Sequence, residues 1–570
     1  MVLKIRILST LFLLLFAALC IRLFYWQVME GARLSDEAKN QYNSSKTISA
    51  PRGNILASDE SYWVVRTQAW LVWANPRLIK NTSREVANKL APFLVSDPDD
   101  EEALLVETQR LETLLGKSGV SWVALKQKVS DDIKRNIEAF KIEGIGFDAQ
   151  EASYYPEASS AAQILGFVGK DEKGTDIGYF GIEGYYDLPL SGKPGFVGGQ
   201  KDALGSPILL GGTTQVSAIS GVDLETNIDK RIQVAVEEGL AKGIEKYGAS
   251  GGSVTVMDPG NGKVMAMASL PSFDPVKYSE YNNTLFKNPV ISDSFEPGSI
   301  LKVAVMAAGL DANVVRPDTA CDICSGPLKV DKYFIKTWND KYHPDITMTD
   351  VIVDSDNVGM SFVGQKLGAD TLYDYLHKFG IGEKTGIDLQ GEIAPKLREK
   401  GTWNIVDLAT ASFGQGVAVT GIEMVRAVAA IANGGYLVTP KVVGGIRSDG
   451  WEEEVKSTPP TRIISQRAAK ETTQMMVEAA ERGEAKWARI PGFKVAGKTG
   501  TAQIPVAGHY DDTNTIHSFI GFAPADNPKF VMLVTLGSPQ SSPWAAETAA
   551  PLWYSIAKDL FPYLGVQPSQ

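Results

Sequence analysis

The sequence predicts an α+β protein in three parts: one transmembrane helix, a mixed α/β pedestal domain, and a larger domain in which an antiparallel sheet is flanked by helices. Three observations predict it. An apolar run opens the chain; β-prone and helical patterns then alternate, without catalytic spacing, up to a Gly- and Ser-rich stretch; beyond that stretch strands come first, helices fill the middle and a strand pair returns near the end. With 570 residues and 44% apolar composition, the chain can bury at least two cores. The expected divisions are residues 1–28 for the cytoplasmic tip and anchor, 29–220 for the pedestal, and 221–570 for the larger domain.

Lys4 and Arg6 precede an apolar run from Ile7 to Ile21 that only Ser9 and Thr10 interrupt; Arg22 follows, and Leu23 to Val28 are again mostly apolar. As one helix, Ile7 to Val28 spans roughly 33 Å, enough for a bilayer core with Arg22 snorkelling outward. A cleaved signal peptide has a similar apolar run, but no small-x-small cleavage site follows, and Leu19 before Cys20 does not suit a lipoprotein. The reading is a retained single-pass anchor in the cytoplasmic membrane. By the positive-inside rule its N-terminus is cytoplasmic and the bulk of the chain is periplasmic or extracellular.

Ser44 to Asn75 mixes turn residues with β-prone stretches such as Tyr62-Trp-Val-Val, and the apolar spacing from about Arg84 to Phe147 reads as mainly helical. Gly195 to Gly221 reads as a hairpin or a connection between domains. In the larger domain, strands are expected at Ser253 to Met257, Val264 to Ser269, Ser518 to Phe522 and Phe530 to Leu536. Helices are expected at Leu301 to Leu310, Gly421 to Ala432, Arg467 to Ala480 and Ala545 to Leu560.

Three segments carry chemistry, in this order: Glu296-Pro-Gly-Ser-Ile-Leu-Lys302, Asp354-Ser-Asp-Asn-Val-Gly359 and Ala496-Gly-Lys-Thr-Gly-Thr-Ala-Gln503. Pro297 and Gly298 make a sharp entry to a helix and put Ser299 at its first turn, where free N–H groups and the dipole favour developing negative charge. Lys302 lies one turn on, on the same face. Serine needs a neighbouring base, and lysine can be that base only where burial or nearby cations keep it neutral. The candidate roles are Ser299 as nucleophile, Lys302 as general base, Ser355 as proton relay, Asn357 as holder of a substrate amide, and Lys498 as a positive charge that orients Ser355. Thr499, Gly500 and Thr501 form the substrate-binding edge, the two hydroxyls taking a carboxylate. The backbone N–H groups of Ser299 and Thr501 form an oxyanion hole worth about 3 kcal/mol per donor. Each segment alone is weak: Ser555-Ile-Ala-Lys558 and Lys384-Thr385-Gly386 fit the same short patterns. Order removes both, because too few residues follow Lys558, and Lys384 sits in a turn-rich run. Taken singly, Ser299 reads as an N-cap, Lys302 as a solvated lysine and Asn357 as a turn residue; three segments in order outweigh that reading.

The ordered triple is the signature of penicillin-interacting serine acyltransferases. From these residues outward the chain resembles the class B penicillin-binding proteins. The likeness includes Gly252-Ser-Val-Thr-Val-Met-Asp-Pro, Phe413-Gly-Gln-Gly-Val-Ala-Val-Thr, Ser518-Phe-Ile-Gly-Phe-Ala-Pro and, upstream, Arg52-Gly-Asn-Ile, Gly181-Ile-Glu-Gly-Tyr-Tyr-Asp and Thr226-Asn-Ile-Asp. Ile300-Leu301 departs from the family's usual Thr with an aromatic or Met, and Gln163 stands where many members have His. The resemblance implies a serine-type D,D-transpeptidase that cross-links peptidoglycan stem peptides and is acylated by β-lactams. It also implies a polytopic membrane glycosyltransferase of the shape, elongation, division and sporulation type, with other division proteins, as partners. Ala50-Pro-Arg-Gly-Asn-Ile-Leu-Ala and Val495 to Gln503 look more like the division-specific branch than the elongation branch. A β-lactamase would need a water-activating group that has no counterpart here; a β-lactam-sensing receptor would need more membrane spans; a silent division scaffold remains a third alternative.

The net charge of −11, without a basic stripe, disfavours nucleic acid. Histidines 343, 377, 509 and 517 are dispersed without metal-ligand spacing, so neither metal nor cofactor is expected. Cys321-Asp-Ile-Cys324 has no second such pair and no thioredoxin-like context; it either closes a loop disulfide after export or remains two thiols, and Cys20 belongs to the apolar helix.

Overall fold

The apolar N-terminal run forms a helix, Val2–Phe24, continued by a π turn, Tyr25–Met29. Its most apolar stretch has a mean hydropathy of 2.5 and none of it is buried, so it is long and apolar enough to cross a membrane. The structure, a computed structural model, describes residues 1–172, 174–200, 214–448, 450–506 and 509–568. By contacts the chain divides into two units, residues 1–53 with 191–221, and residues 54–190 with 222–570. In the first unit, strands Asn43–Ile48, Gly195–Gln200 and Thr214–Val216 make a small antiparallel sheet. Of the stretch read as a hairpin or a connection between domains, the two flanks pair as antiparallel strands, and residues 201–213 between them lie outside the described residues.

In the second unit, the β-prone stretch Tyr62-Trp-Val-Val opens a long strand, Tyr62–Ala74, which pairs antiparallel with Val123–Val129 and Ile145–Tyr154. Helices Ser83–Leu94, Glu101–Leu115 and Asp131–Ala139 pack on it. The expectation that residues 84–147 are mainly helical is corrected at Val123–Val129. There Val123, Leu125 and Val129 are buried in a two-residue alternation that seats them on one face of a sheet. Residues on both sides of position 220 share hydrogen bonds: Asp223–Thr226 lies between Ile55–Leu56 and Val443–Ser448 in one seven-stranded sheet.

The region that carries the three motif segments begins with α1 (Lys230–Tyr247), capped by Asp229, followed by β1 (Gly251–Met257) and β2 (Val264–Leu270). Helices α2 (Lys302–Asp311), α3 (Asn357–Leu367), α4 (Gly421–Ala432) and α5 (Gln466–Arg482) come next. Then β3 (Ala496–Val506), β4 (His509–Ala523), β5 (Phe530–Gly537) and α6 (Ala549–Tyr563) complete it. The five strands run in the order β2-β1-β5-β4-β3, every pair antiparallel.

Both faces of this sheet are covered, which explains the unbroken apolar run Phe530 to Val534. Phe530, Met532 and Val534 face α1 and α6 in one core, while Val531 and Leu533 join the core around α2 on the other face. Helix α2 is buried at every residue from Lys302 to Leu310 and packs against α3, α4 and α5. An apolar surface all round marks a central helix, and it fixes whatever stands at its N-terminus. Cys321 and Cys324 are joined as a disulfide, with both residues buried.

Candidate active site

Pro297-Gly-Ser-Ile-Leu leads into α2 as expected, but Ser299 sits one element earlier than a first α-helical turn. Gly298–Ile300 is a single 3₁₀ turn, and α2 begins at Lys302. Gly298 has φ 53°, a left-handed conformation open to glycine at little cost. Its N–H donates to Gly414 O at 3.0 Å, tying the turn to the Phe413-Gly-Gln segment.

Ser355 precedes α3 in a left-handed conformation, φ 57°, rare for a serine and a form of strain that collects at functional sites. That backbone presents both its carbonyl and its hydroxyl to Lys302: Lys302 Nζ donates to Ser355 O at 2.6 Å and lies 3.3 Å from Ser355 Oγ. Asp356 caps α3 by accepting from Gly359 N, which sets Asn357 at the first turn. Lys302 Nζ donates to Asn357 Oδ1 at 2.7 Å, and Asn357 Nδ2 donates to Lys336 O at 3.0 Å. Ser355 Oγ in turn donates to Ser299 Oγ at 3.0 Å. The structure thus brings four of the expected residues into one chain of contacts, and Ser355, rather than Lys302, is the neighbour of the Ser299 hydroxyl.

Lys498 lies on β3, with Thr499, Gly500 and Thr501 following it along the sheet edge. Gly500 is required by close approach: a β-carbon there would stand 2.6 Å from Ser518 Oγ and 2.9 Å from Ile300 Cγ2, holding the strand off the Ser299 turn. Ile300, the departure noted in the sequence, fills that contact from the core. Thr501 Oγ1 accepts from Ala545 N at 3.1 Å, which leaves its own O–H to donate. One expectation is corrected. Lys498 does not orient Ser355 directly, since its Nζ donates to Thr499 O and Oγ1, both at 3.2 Å, and no Ser355 bond to it exists among the described residues.

Lys302 and Lys498 are 0% and 2% exposed. Burial, with the charge of Lys498 second, pushes the Lys302 ammonium well below lysine's usual range; Asp356 and Glu484 oppose the shift. Burial pushes Lys498 down to about 8 against Glu484. Burial and the neighbouring Lys498 charge together favour the neutral amine at Lys302, against the two carboxylates that oppose them.

Above these groups opens a cavity of about 360 Å³ lined by Ser299, Ser355, Asn357, Thr499 and Thr501, with Trp338 and Trp544 in T-shaped contact at its rim, ring centres 5.1 Å apart. Glu484 also lines it; sequence reasoning missed this residue because no local pattern marks a helix-end glutamate. The two decoys fall elsewhere: Ser555 and Lys558 are exposed on α6, and Thr385 is held by Glu392. Among the described residues no group of three or more His, Cys, Asp or Glu side chains converges as a metal site would.

Residues 252–560 match the penicillin binding protein transpeptidase domain and residues 47–226 the penicillin-binding protein dimerisation domain. The chain is 31% identical to stage V sporulation protein D of Bacillus subtilis, over 98% of this chain and 86% of that protein. It is 27% identical to the probable peptidoglycan D,D-transpeptidase PenA of Neisseria meningitidis, over 98% of this chain and 92% of that protein. The structure of a peptidoglycan synthetase from Bifidobacterium adolescentis superposes with a TM-score of 0.72 at 26% identity, over 93% of this chain and 98% of that one. With more than half its length in the transpeptidase domain and a dimerisation domain ahead of it, the chain belongs to the class B penicillin-binding proteins, the serine-type peptidoglycan D,D-transpeptidases.

Proposed function

We propose that Ser299 is the nucleophile that carries peptidoglycan stem peptides as an acyl-enzyme, with Lys302 as its base acting through Ser355. The observation that carries this reading is the 3.0 Å contact between the Ser299 and Ser355 hydroxyls beside the buried Lys302 amine. A neutral Lys302 has two N–H groups and one lone pair. Ser355 O and Asn357 Oδ1 accept the two N–H groups, which leaves the lone pair for the Ser355 hydroxyl proton. Both hydroxyls rotate, so the contact can carry a proton from Ser299 to Ser355 while Ser355 passes its own to Lys302.

Ser299 Oγ attacks the carbonyl carbon of the penultimate D-Ala, and the tetrahedral oxyanion is met by the N–H groups of Ser299 and Thr501. Collapse breaks the C–N bond to the terminal D-Ala, whose amine recovers the proton by way of Ser355 and leaves. An amine of a second stem then attacks the ester, returns a proton to Ser299 and takes the acyl group as an amide cross-link. Lys498, Thr499 and Thr501 hold the terminal carboxylate, and Asn357 turns its second Nδ2 hydrogen to the donor amide. β-Lactams acylate the same serine because their strained amide presents the same carbonyl.

The apolar helix anchors the chain, and Lys4 and Arg6 in its first turns support a cytoplasmic tip with the bulk of the chain on the periplasmic or extracellular side. The partner fitting this reading is a polytopic membrane glycosyltransferase, beside other division proteins. The segments Ala50 to Ala57 and Val495 to Gln503 support a septal role. Similarity to a stage V sporulation protein favours a second reading, service in sporulation. Filamentation on depletion supports the first; loss of spores with normal division supports the second.

The full chain in detergent is incubated with a fluorescent penicillin and the adduct located by peptide mass spectrometry, with Ser299→Ala alongside. A stable adduct on Ser299, absent from the variant, is expected; an adduct elsewhere, or none on folded protein, overturns the assignment.

A further inference from the structure

Glu484 is, among the described residues, the one acidic side chain lining the cavity that holds Ser299, Ser355 and Thr499. It follows the end of α5, where the chain runs tight against the segment leading to Ser355: a β-carbon on Gly483 would meet Val353 O at 3.0 Å. The carboxylate makes no direct salt bridge among the described residues, yet two buried lysines act on it from separate elements, Lys498 on β3 and Lys302 on α2. The remaining charges around the group are Asp354, which faces Glu484, and Asp356, which faces Lys302.

Two lysines buried in one site compete for protons, because each ammonium form is penalised by desolvation and by the other's charge. Their surroundings differ in two respects: the charge of Lys498 adds to the desolvation of Lys302, and a second carboxylate stands near Lys302. Lys302 has Asp356 as well as Glu484 nearby, whereas the charge opposing desolvation at Lys498 is Glu484. We propose that Glu484 is a positioning residue for the acyl transfer: its carboxylate keeps the cation on Lys498, beside the Thr499 and Thr501 hydroxyls, and that cation, with the burial of the site, leaves Lys302 as the amine that accepts the Ser299 proton. This rests on the acyl-enzyme reading above. No proton is gained or lost by Glu484 itself in the cycle; it acts through the field it sets at two nitrogens.

The consequence has a sign. Removing the carboxylate lowers the proton affinity of both lysines. The acid limb of the acylation profile, where Lys302 gains a proton, and the alkaline limb, where Lys498 loses one near its wild-type value of about 8, therefore move the same way, to lower pH. A shift of about one pH unit is the scale of a nearby charge.

Acylation rates of the full chain in detergent by a fluorescent penicillin are measured across pH for wild type, Glu484→Gln and Glu484→Asp. Expected are limbs displaced downward by about one unit in Glu484→Gln and near wild-type limbs in Glu484→Asp, which keeps the charge. A Glu484→Gln profile that superposes on wild type after scaling overturns the proposal, whatever the drop in rate. Should the Gln variant not fold, Glu484→Ser removes the same charge and is read in the same way. A wild-type chain that takes no label on Ser299 overturns the acyl-enzyme reading beneath, an outcome distinct from a labelled chain whose limbs do not move.

Discussion

A β-carbon on Gly414 would lie 2.0 Å from the carbonyl oxygen of Gly298, the residue before Ser299, while Gly298 N–H donates to Gly414 O at 3.0 Å. The two glycines lock the Ser299 turn to the segment Phe413-Gly-Gln, and Gly414 itself has φ 89°, a left-handed conformation. Gly414→Ala must push the turn away and strain its own backbone. The variant is expected to lose about 1–3 kcal/mol of stability and at least tenfold in penicillin acylation rate, read by thermal unfolding and by labelling kinetics. A variant with unchanged acylation would show that the turn does not set the nucleophile.

Ser355 stands between Ser299 and Lys302, so Ser355→Ala removes the one hydroxyl that touches both. Acylation is expected to fall roughly 10²–10⁴-fold, the scale of losing general-base assistance. The melting temperature should change little, because Lys302 keeps Ser355 O and Asn357 Oδ1 as acceptors. Stopped-flow labelling of variant and wild type checks this; equal rates would return the proton transfer to a direct Ser299–Lys302 route.

The sequence made the grouping of Ser299, Lys302, Ser355 and Lys498 legible because each motif is local: one helical turn separates Ser299 from Lys302, and three residues along one strand separate Lys498 from Thr501. What it hid is set by contacts between distant segments. The 3₁₀ turn at Ser299 depends on Gly414, the bonds of Lys498 go to Thr499 rather than Ser355, and Glu484 reaches the cavity only because α5 ends there. In the pedestal, Val123 to Val129 fall inside the stretch from Arg84 to Phe147 whose apolar spacing reads as mainly helical. The neighbouring strand Tyr62–Ala74 decides the matter by offering backbone partners, which no pattern internal to 123–129 reveals.

The Cys321–Cys324 bond gives a count. The chain has 3 cysteines, so protein denatured without reductant should show one reactive thiol, Cys20, and all 3 after reduction. Three thiols before reduction would contradict the bond. Closing so short a ring stabilises by only about 2 kcal/mol in the chain-entropy account, so Cys321→Ser with Cys324→Ser should fold and melt slightly lower.

His517 gives a pH dependence of stability that is independent of the chemistry. Thr548 Oγ1 donates to Trp544 O, so it accepts from His517 Nδ1–H at 2.7 Å, and Nε2 is left to accept from the Thr515 hydroxyl at 3.0 Å. A second ring proton has no acceptor unless Thr515 turns round, and burial pushes the imidazolium down to about 4. The unfolded chain, with histidine near its ordinary value, binds the proton first as pH falls. The stability contributed by the neutral ring is therefore complete above about 6.5 and is lost as pH falls toward 4, by an order of about 3 kcal/mol. Asp388 and Glu423, whose carboxyls burial pushes up, act with the opposite sign, so the wild-type curve alone does not isolate the histidine. The difference does. His517→Gln keeps a donor and an acceptor but cannot titrate, and its melting temperature should fall less than that of wild type between pH 6.5 and 4.5, even from a lower start. Parallel curves in that window would mean that the ring carries its second proton inside the fold without penalty, and the assigned hydrogen-bond directions at Thr515 and Thr548 would be wrong.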